Sequence, residues 1–404
     1  MIISQVEAKN FRCLRNVRQP LEAFHILVGP NASGKTTFLD VFALLGRLVS
    51  SGLEATISER SYNLSDLLWE KNRTHFDLAI EALIPDKCVP TPARGNEKTK
   101  ARGNEKTEAR GNEKLPIFER IRYEITIGID NHENSILHEK VHLIGQHSKR
   151  LVIHKDAKAD YFHPEVSPQT IQFKLGSHRS ALGNLPEDES QFPATVWFKN
   201  LLTTGIQQLS LNSQVMRQPS PPGQQRAFKP DGSNLPWMID WLYQQHLENY
   251  QDWISHLQTA FDDIEEIHTI VRPEDRHRYL VIRYRGGLEV PSWMISDGTL
   301  RLLALTLPAY LPNLSGIYLV EEPENGIHPR AVETIYQSLS SVYDAQVLLA
   351  THSPVILSMA QVDEVLCFAK QGATTIVKGS THPALKHWKG ETNLGVLFAG
   401  GVLG

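Results

Sequence analysis

Cysteine is scarce in this chain of 404 residues: Cys13, Cys88 and Cys367 are the only three, and they carry no metal-ligand spacing. That usage points to a reducing compartment. Long apolar runs are missing as well. No stretch approaches the roughly 20 apolar residues that a membrane-crossing helix needs. The opening MIISQVEAKNF lacks a charged segment followed by an apolar one, so no secretory leader is expected. A cytoplasmic protein with no membrane partner is the expectation. Nor is there an excess of one charge. A formal net charge of −4 neither demands nor excludes nucleic acid, because DNA binding depends on a local basic face. No apolar heptad persists over three or four repeats, which argues against a long coiled coil.

What is present begins at residue 29. GPNASGKT, from Gly29 through Pro30, Asn31, Ala32, Ser33, Gly34 and Lys35 to Thr36, fits the pattern G-x-x-x-x-G-K-[ST] and follows the apolar run Phe24 to Val28. A strand that feeds a glycine-rich turn lets successive backbone N–H groups point at a β-phosphate. Lys35 adds a point charge toward the β and γ oxygens, and the Thr36 hydroxyl is placed to ligate Mg²⁺. From Thr37 to Leu48 the chain is apolar at helical spacing, so a helix N-terminus should face the phosphates. A nucleoside triphosphate, read as ATP with Mg²⁺, is the expected ligand.

The second motif separates the many users of such a loop. Ile317 to Val320 reads as a short apolar strand ending in Glu321 and Glu322, followed by Pro323, Glu324 and Asn325. Two adjacent carboxylates at the end of a buried strand are costly to ionise unless a cation and a water are present. Glu321 is accordingly the candidate Mg²⁺ partner, and Glu322 the candidate base that orients the attacking water. Ser296, Asp297, Gly298 and Thr299 open another helical run, Leu300 to Leu307, and so form a second anion-binding helix start. One protomer rarely needs two. Val347 to Ala350 reads as a strand that delivers His352, within Thr351-His352-Ser353-Pro354, to the nucleotide edge of an α/β sheet.

In order, GPNASGKT, SDGTLRLLAL, YLVEEPENGIHP and LLATHSP resemble the Walker A, signature, Walker B with D-loop, and H-loop elements of ABC-type ATPases. The N-terminal AKNFRCLRNV is similar to the first strand of the RecF, chromosome-maintenance and OLD-type branch of that superfamily. The resemblance covers roughly residues 1–48 and 279–370. It implies an α/β fold: a P-loop ABC-type ATPase head with a mixed sheet and a large inserted α+β lobe. It also implies a head-to-tail homodimer, or a higher even-numbered oligomer, with ATP at the interface. Lys35, Thr36 and the neighbouring Thr37 would hold the nucleotide in cis, with Arg12 as a basic residue near the phosphates. Ser296 to Thr299 would close over the γ-phosphate in trans, Glu322 would be the catalytic base, and His352 the γ-phosphate sensor. The resemblance implies a Q-loop glutamine too, at a position that the motifs do not fix. Two departures stand out: the signature is SDGT rather than LSGGQ, and Glu321 occupies the place of the usual aspartate. The first points away from transporters, and the second bears on Mg²⁺ geometry.

Between the motifs, roughly 260 residues separate Lys35 from Ser296, so a lobe is inserted into the head. The expected division is residues 1–60 and 270–404 for the head and 61–269 for the lobe. Within the lobe, His75 to Ile84 and Ile117 to Ile129 alternate like strands, and Trp237 to Ile264 reads as one amphipathic helix. ARGNEK occurs three times between residues 93 and 114 at an eight-residue period. With almost nothing apolar to bury, that segment reads as a solvated hairpin tip or, less simply, a basic arm balanced by its glutamates. Residues 217–230 read as a proline-rich loop. Arg272, Arg276, Arg278, Arg283 and Arg285 flank the run Tyr279 to Tyr284, and present either a phosphate-binding face or a solvated one. The tail LGVLFAGGVLG contains no acidic side chain, and reads as a docking or dimer-packing element or as a buried edge strand.

These readings converge on an ATP-hydrolysing dimeric switch in DNA repair or antiphage defence. It would control a separate nuclease-like effector, with DNA as a possible further partner. A nucleotide-gated scaffold with little turnover, or a transporter ATPase, are the alternatives. The SDGT signature and the lack of a membrane segment weigh against the last.

Overall fold

FHILV, IYLVE and QVLLA show no polar alternation, as suits strands buried on both faces, and these three runs form the middle of a six-stranded sheet. The computed structural model describes residues 2–70, 73–88, 118–156, 159–224, 226–312, 314–385 and 393–401. The sheet runs Ile206–Leu209, Ile317–Glu321, Gln346–Ala350, Phe24–Val28, Val365–Gln371, Ala373–Lys378. Its first five strands are parallel and the last is antiparallel to its neighbour, so the sheet is mixed, as expected. Register brings Ala350 beside Glu321 on one side and Leu27 on the other. The loops after Val28, Glu321 and Ala350 therefore leave from a single edge, the edge at which parallel sheets collect ligands.

Two compact units divide the chain. The head unit contains Met1–Ile2, Arg12–Leu44 and Thr204–Gly404; the other contains Ile3–Phe11 and Leu45–Thr203. The division thus differs from the expected one: residues 204–269 lie in the head unit, and residues 3–11 and 45–60 in the other. The reason is burial. Met238, Leu242, Trp253 and Leu257 belong to the same apolar core as Val28, Val320 and Leu349.

The single helix expected over Trp237 to Ile264 is instead two helices, Leu235–Gln245 and Leu247–Ala260, and Ile264 opens the strand Ile264–Val271. His246 breaks the helix at φ −143 and ψ 60. Neither proline nor glycine marks that break, and the apolar periodicity continues through it with Leu242, Tyr250, Trp253 and Leu257 all buried. Trp253 is 0% exposed and its indole N–H donates to Thr306 Oγ1 at 2.9 Å. Replacing it with alanine both empties a core site and leaves that hydroxyl short of a partner, so Trp253→Ala should cost about 3–5 kcal/mol. A lowered urea midpoint at unchanged slope would register it.

The second unit is an antiparallel meander in the order Ile3–Phe11, His75–Leu83, Arg120–Asp130, Glu133–Ile144, Lys149–Lys155, Asp160–Phe162, Ile171–Phe173. The alternating sequence RIRYEITI buries Ile121, Tyr123, Ile125 and Ile127 on one face, which is the two-residue period of a half-buried strand. The ARGNEK segment, residues 93–114, lies outside the described residues. Among the described residues no helix is long and apolar enough to cross a membrane.

Over its described residues the tail makes no edge strand. Leu394–Ala399 forms a short helix, capped by Asn393 and packed against the helix Pro354–Met359.

Candidate functional site

The strand Phe24–Val28 turns into the helix Lys35–Ser51 through a loop that places Gly29, Ala32 and Gly34 at positive φ, 150, 61 and 107. At Gly34 a side chain would be doubly unfavourable, since an added Cβ would lie 2.5 Å from Thr374 Oγ1. Lys35 is buried, and its ammonium donates to the carbonyls of Gly29 at 2.7 Å and Pro30 at 3.2 Å. Burial lowers its pKa, opposed by the charges of Glu322 and Glu321.

Thr36 and Glu321 meet directly: the threonine hydroxyl donates to Glu321 Oε2 at 2.7 Å. The other carboxylate oxygen accepts from Gln208 Nε2 at 3.0 Å. A hydroxyl and a carboxylate are hard oxygen donors of the type Mg²⁺ prefers. Among the described residues no three His, Cys, Asp or Glu side chains gather into a metal cluster, so a cation here would take further ligands from water and phosphate oxygens. Gln208 escaped the sequence reading because it lies on the short edge strand Ile206–Leu209, and only its pairing with Ile317–Glu321 brings it to Glu321.

Glu322 is held at φ 46, an uncommon and strained conformation for a residue with a side chain. Its N–H donates to Ala350 O at 2.8 Å, and its carboxylate accepts from the Asn325 amide. The exposed carboxylate therefore stands off the strand end rather than folding back into the core. Arg12, also at positive φ, forms an ion pair with Asp40 at 3.2 Å. A cavity of about 330 Å³ is lined by Arg12, Cys13, residues 31–37, Glu321, Glu322, Ala350, His352 and Lys370. Asn31, Ala32, Ser33, Gly34, Lys35, Thr36, Thr37, Arg12, Glu321, Glu322 and His352 thus share one chamber. Gly29 and Pro30 do not line it, and supply carbonyls to Lys35 instead. Cys13 and Lys370 are additions that no motif announced.

Ser296, Asp297, Gly298 and Thr299 line a different cavity of about 570 Å³, with Arg217, Phe261, Gly326, Ile327 and His328. Ser296 caps the helix Asp297–Thr306, its hydroxyl accepting from Thr299 N–H at 3.2 Å. Asp297 is paired with Arg217, whose guanidinium also donates to Ile295 O at 3.0 Å. Within one chain, then, the signature segment and the phosphate loop face separate chambers.

Three of the five clustered arginines are set against carboxylates. Arg283 pairs with Glu266 on the adjoining strand, Arg272 with Asp275, and Arg278 with Asp240 at 2.6 Å while its guanidinium lies 4.5 Å from the Trp237 ring centroid. Counting basic residues missed the acidic ones that the fold sets against them.

A family model described as "AAA domain, putative AbiEii toxin, Type IV TA system" matches residues 24–358. No curated protein matches the chain. Among solved structures, the chain is similar to an SMC head bound to the C-terminal winged-helix domain of ScpA, at 13% identity and a TM-score of 0.55, covering 93% of this chain and 98% of that one. It is similar as well to an SMC head domain with an extended coiled coil, bound to the C-terminal domain of ScpA derived from Pyrococcus furiosus, at 12% identity and a TM-score of 0.52, covering 93% and 96%. At such identities the likeness establishes the fold alone, that of an SMC head.

Proposed function

Because this chain belongs to the family of AAA domains described as putative AbiEii toxin of type IV TA systems, and has the fold of an SMC-type ATPase head, we propose that it is an ATP-hydrolysing switch that works as a head-to-tail dimer. The observation that carries this reading is the separation of the two chambers. The cavity around Lys35 gathers the glycine loop, Glu321, Glu322 and His352 but none of the signature, and the cavity around Ser296 gathers a capped helix start but none of the glycine loop. A partner turned head to tail supplies each with the other.

In that assembly Lys35 and the loop amides would bind the phosphates, and Thr36 and Glu321 would hold Mg²⁺, which would neutralise phosphate charge. Glu322, fixed at the strand end by its N–H to Ala350, orients a water and accepts its proton at the carboxylate. His352 faces the same chamber from the neighbouring strand and would contact the γ-phosphate. The work done is a conformational signal rather than a chemical product.

Light scattering tests the reading. Glu322→Gln protein keeps every phosphate contact but lacks the base, so Mg-ATP should lock it as a dimer; a mass equal to that of a monomeric apo protein would refute the sandwich.

The signal is proposed to act on a separate, nuclease-like effector in DNA repair or antiphage defence. The two SMC heads similar to this chain are each bound to a ScpA domain, which supports a head of this fold as a docking base for another protein. Purified chain should then leave DNA intact in Mg²⁺ or Mn²⁺. Cleavage that persists in Lys35→Ala protein and copurifies with the polypeptide would overturn the division of labour.

A further inference from the structure

Between Glu322 and the helix Pro329–Ser340 the chain makes a tight turn whose central carboxylate is not used by the phosphate chamber. Glu324 does not line that cavity. Its Oε1 accepts two hydrogen bonds from the next strand's exit: one from Thr351 Oγ1 at 2.7 Å, one from the backbone N–H of His352 at 2.9 Å. Its Oε2 is buried with no hydrogen-bond partner. The same Thr351 hydroxyl accepts from Ser353 N–H at 2.9 Å, and Ser353 caps the helix Pro354–Met359.

We propose that Glu324 is a positioning residue for His352: its carboxylate fixes the peptide that carries the imidazole, and so sets where that ring stands in the phosphate chamber. This rests on the ATPase reading above and deepens it.

Three observations carry the inference. First, a charged acceptor on a main-chain N–H makes a stronger, more directional bond than a neutral one, and here it holds the residue whose side chain enters the site. Second, His352 lies two residues beyond the last ladder residue, Ala350. The last sheet bonds at this exit are from the Glu322 N–H to Ala350 O at 2.8 Å and from the Thr351 N–H to Leu27 O at 3.1 Å, and the next peptide, that of His352, is held by Glu324. Third, the turn is itself anchored. Gly326 carries its carbonyl so close to the signature helix that a Cβ on Gly298 would lie 2.6 Å from it, and His328 caps the helix Pro329–Ser340. The turn therefore grips the His352 peptide through Glu324 and abuts the signature through Gly326. An unpaired, buried carboxylate oxygen is unfavourable in itself, a cost that a purely structural turn has no reason to keep.

The expected effect is on turnover rather than on nucleotide capture. Glu324→Ala should lower kcat by about 10- to 100-fold, the range typical when an outer residue that orients a working side chain is removed, while KM for ATP changes little. Thr351→Val, which removes one of the two hydrogen bonds at nearly constant volume, should give a smaller loss of the same kind and serves if the first variant folds poorly. The deciding arm uses His352→Ala. If Glu324 acts through His352, adding Glu324→Ala to it should cost nothing more; independent, multiplicative losses would overturn the proposal.

A second readout does not depend on hydrolysis. Deuterium exchange of the peptide spanning residues 351–358 should quicken in Glu324→Ala, with exchange of the strand Ile317–Glu321 unchanged. Should the wild-type chain prove to have no ATPase activity, the function proposed above falls, and this arm alone judges the clamp: unchanged exchange at 351–358 would overturn it.

Discussion

Lys35→Ala protein should lose measurable ATP binding. The ammonium is buried against the carbonyls of Gly29 and Pro30, poised where phosphate oxygens would replace or join them. Removing one partner of a desolvated charge pair costs about 3 kcal/mol or more, a loss of over about a hundredfold in affinity. Calorimetric titration with Mg-ATP measures it, and binding within threefold of wild type would contradict the phosphate role. The same lysine predicts a pH dependence. Burial holds its pKa below the ordinary 10.5, and a polyphosphate favours the protonated form. As pH rises through that lowered pKa the free protein sheds the proton that ATP binding requires, so affinity should fall earlier than an unperturbed lysine would allow. Affinity that is flat up to the ordinary lysine range would place the ammonium outside the binding step.

Mixing two inactive proteins should restore activity. Ser296→Arg fills the signature chamber with a bulky cation but leaves Lys35 intact, and Lys35→Ala does the reverse. In a head-to-tail dimer of one copy of each, one composite site has both halves sound. With random pairing, half the dimers are mixed and half of their sites work, so an equal mixture should recover about a quarter of wild-type turnover per site. Zero recovery, with both variants folded and able to associate, would mean that each site is complete within its own chain. The ion pair between Arg217 and Asp297 bears on the choice of variant: it keeps the helix start from presenting an uncompensated carboxylate to the partner's phosphates, so Ser296 is altered rather than Asp297.

Much of the fold could be read along the chain wherever the physics is local. Strands buried on both faces need mostly apolar runs without polar alternation, and FHILV, IYLVE and QVLLA are such runs; a helix start needs a cap, and Ser296 is one. The helix expected over Trp237 to Ile264 failed because apolar periodicity reports which face is buried and not whether the backbone continues, so the break at His246 left no trace. The partners of the clustered arginines were hidden for a related reason. A strand's sequence gives its charges but not those of its neighbours, and Glu266 and Asp240 arrive beside Arg283 and Arg278 only through folding.

The sequence by itself determined the local pieces of the chamber around Lys35, since a glycine loop with its lysine and threonine, and a strand ending in two glutamates, are each set by immediate neighbours in the chain. Only the tertiary structure decided which of these groups work together. Parallel register set Glu321 beside Ala350 and brought Gln208 to its carboxylate. The turn after Glu322 carried Glu324 across to the His352 peptide, and the position of the helix Asp297–Thr306 put the signature in a chamber of its own. These are contacts between residues from 28 to 113 positions apart, and separations of that size are closed by packing of the whole sheet, which no local pattern encodes.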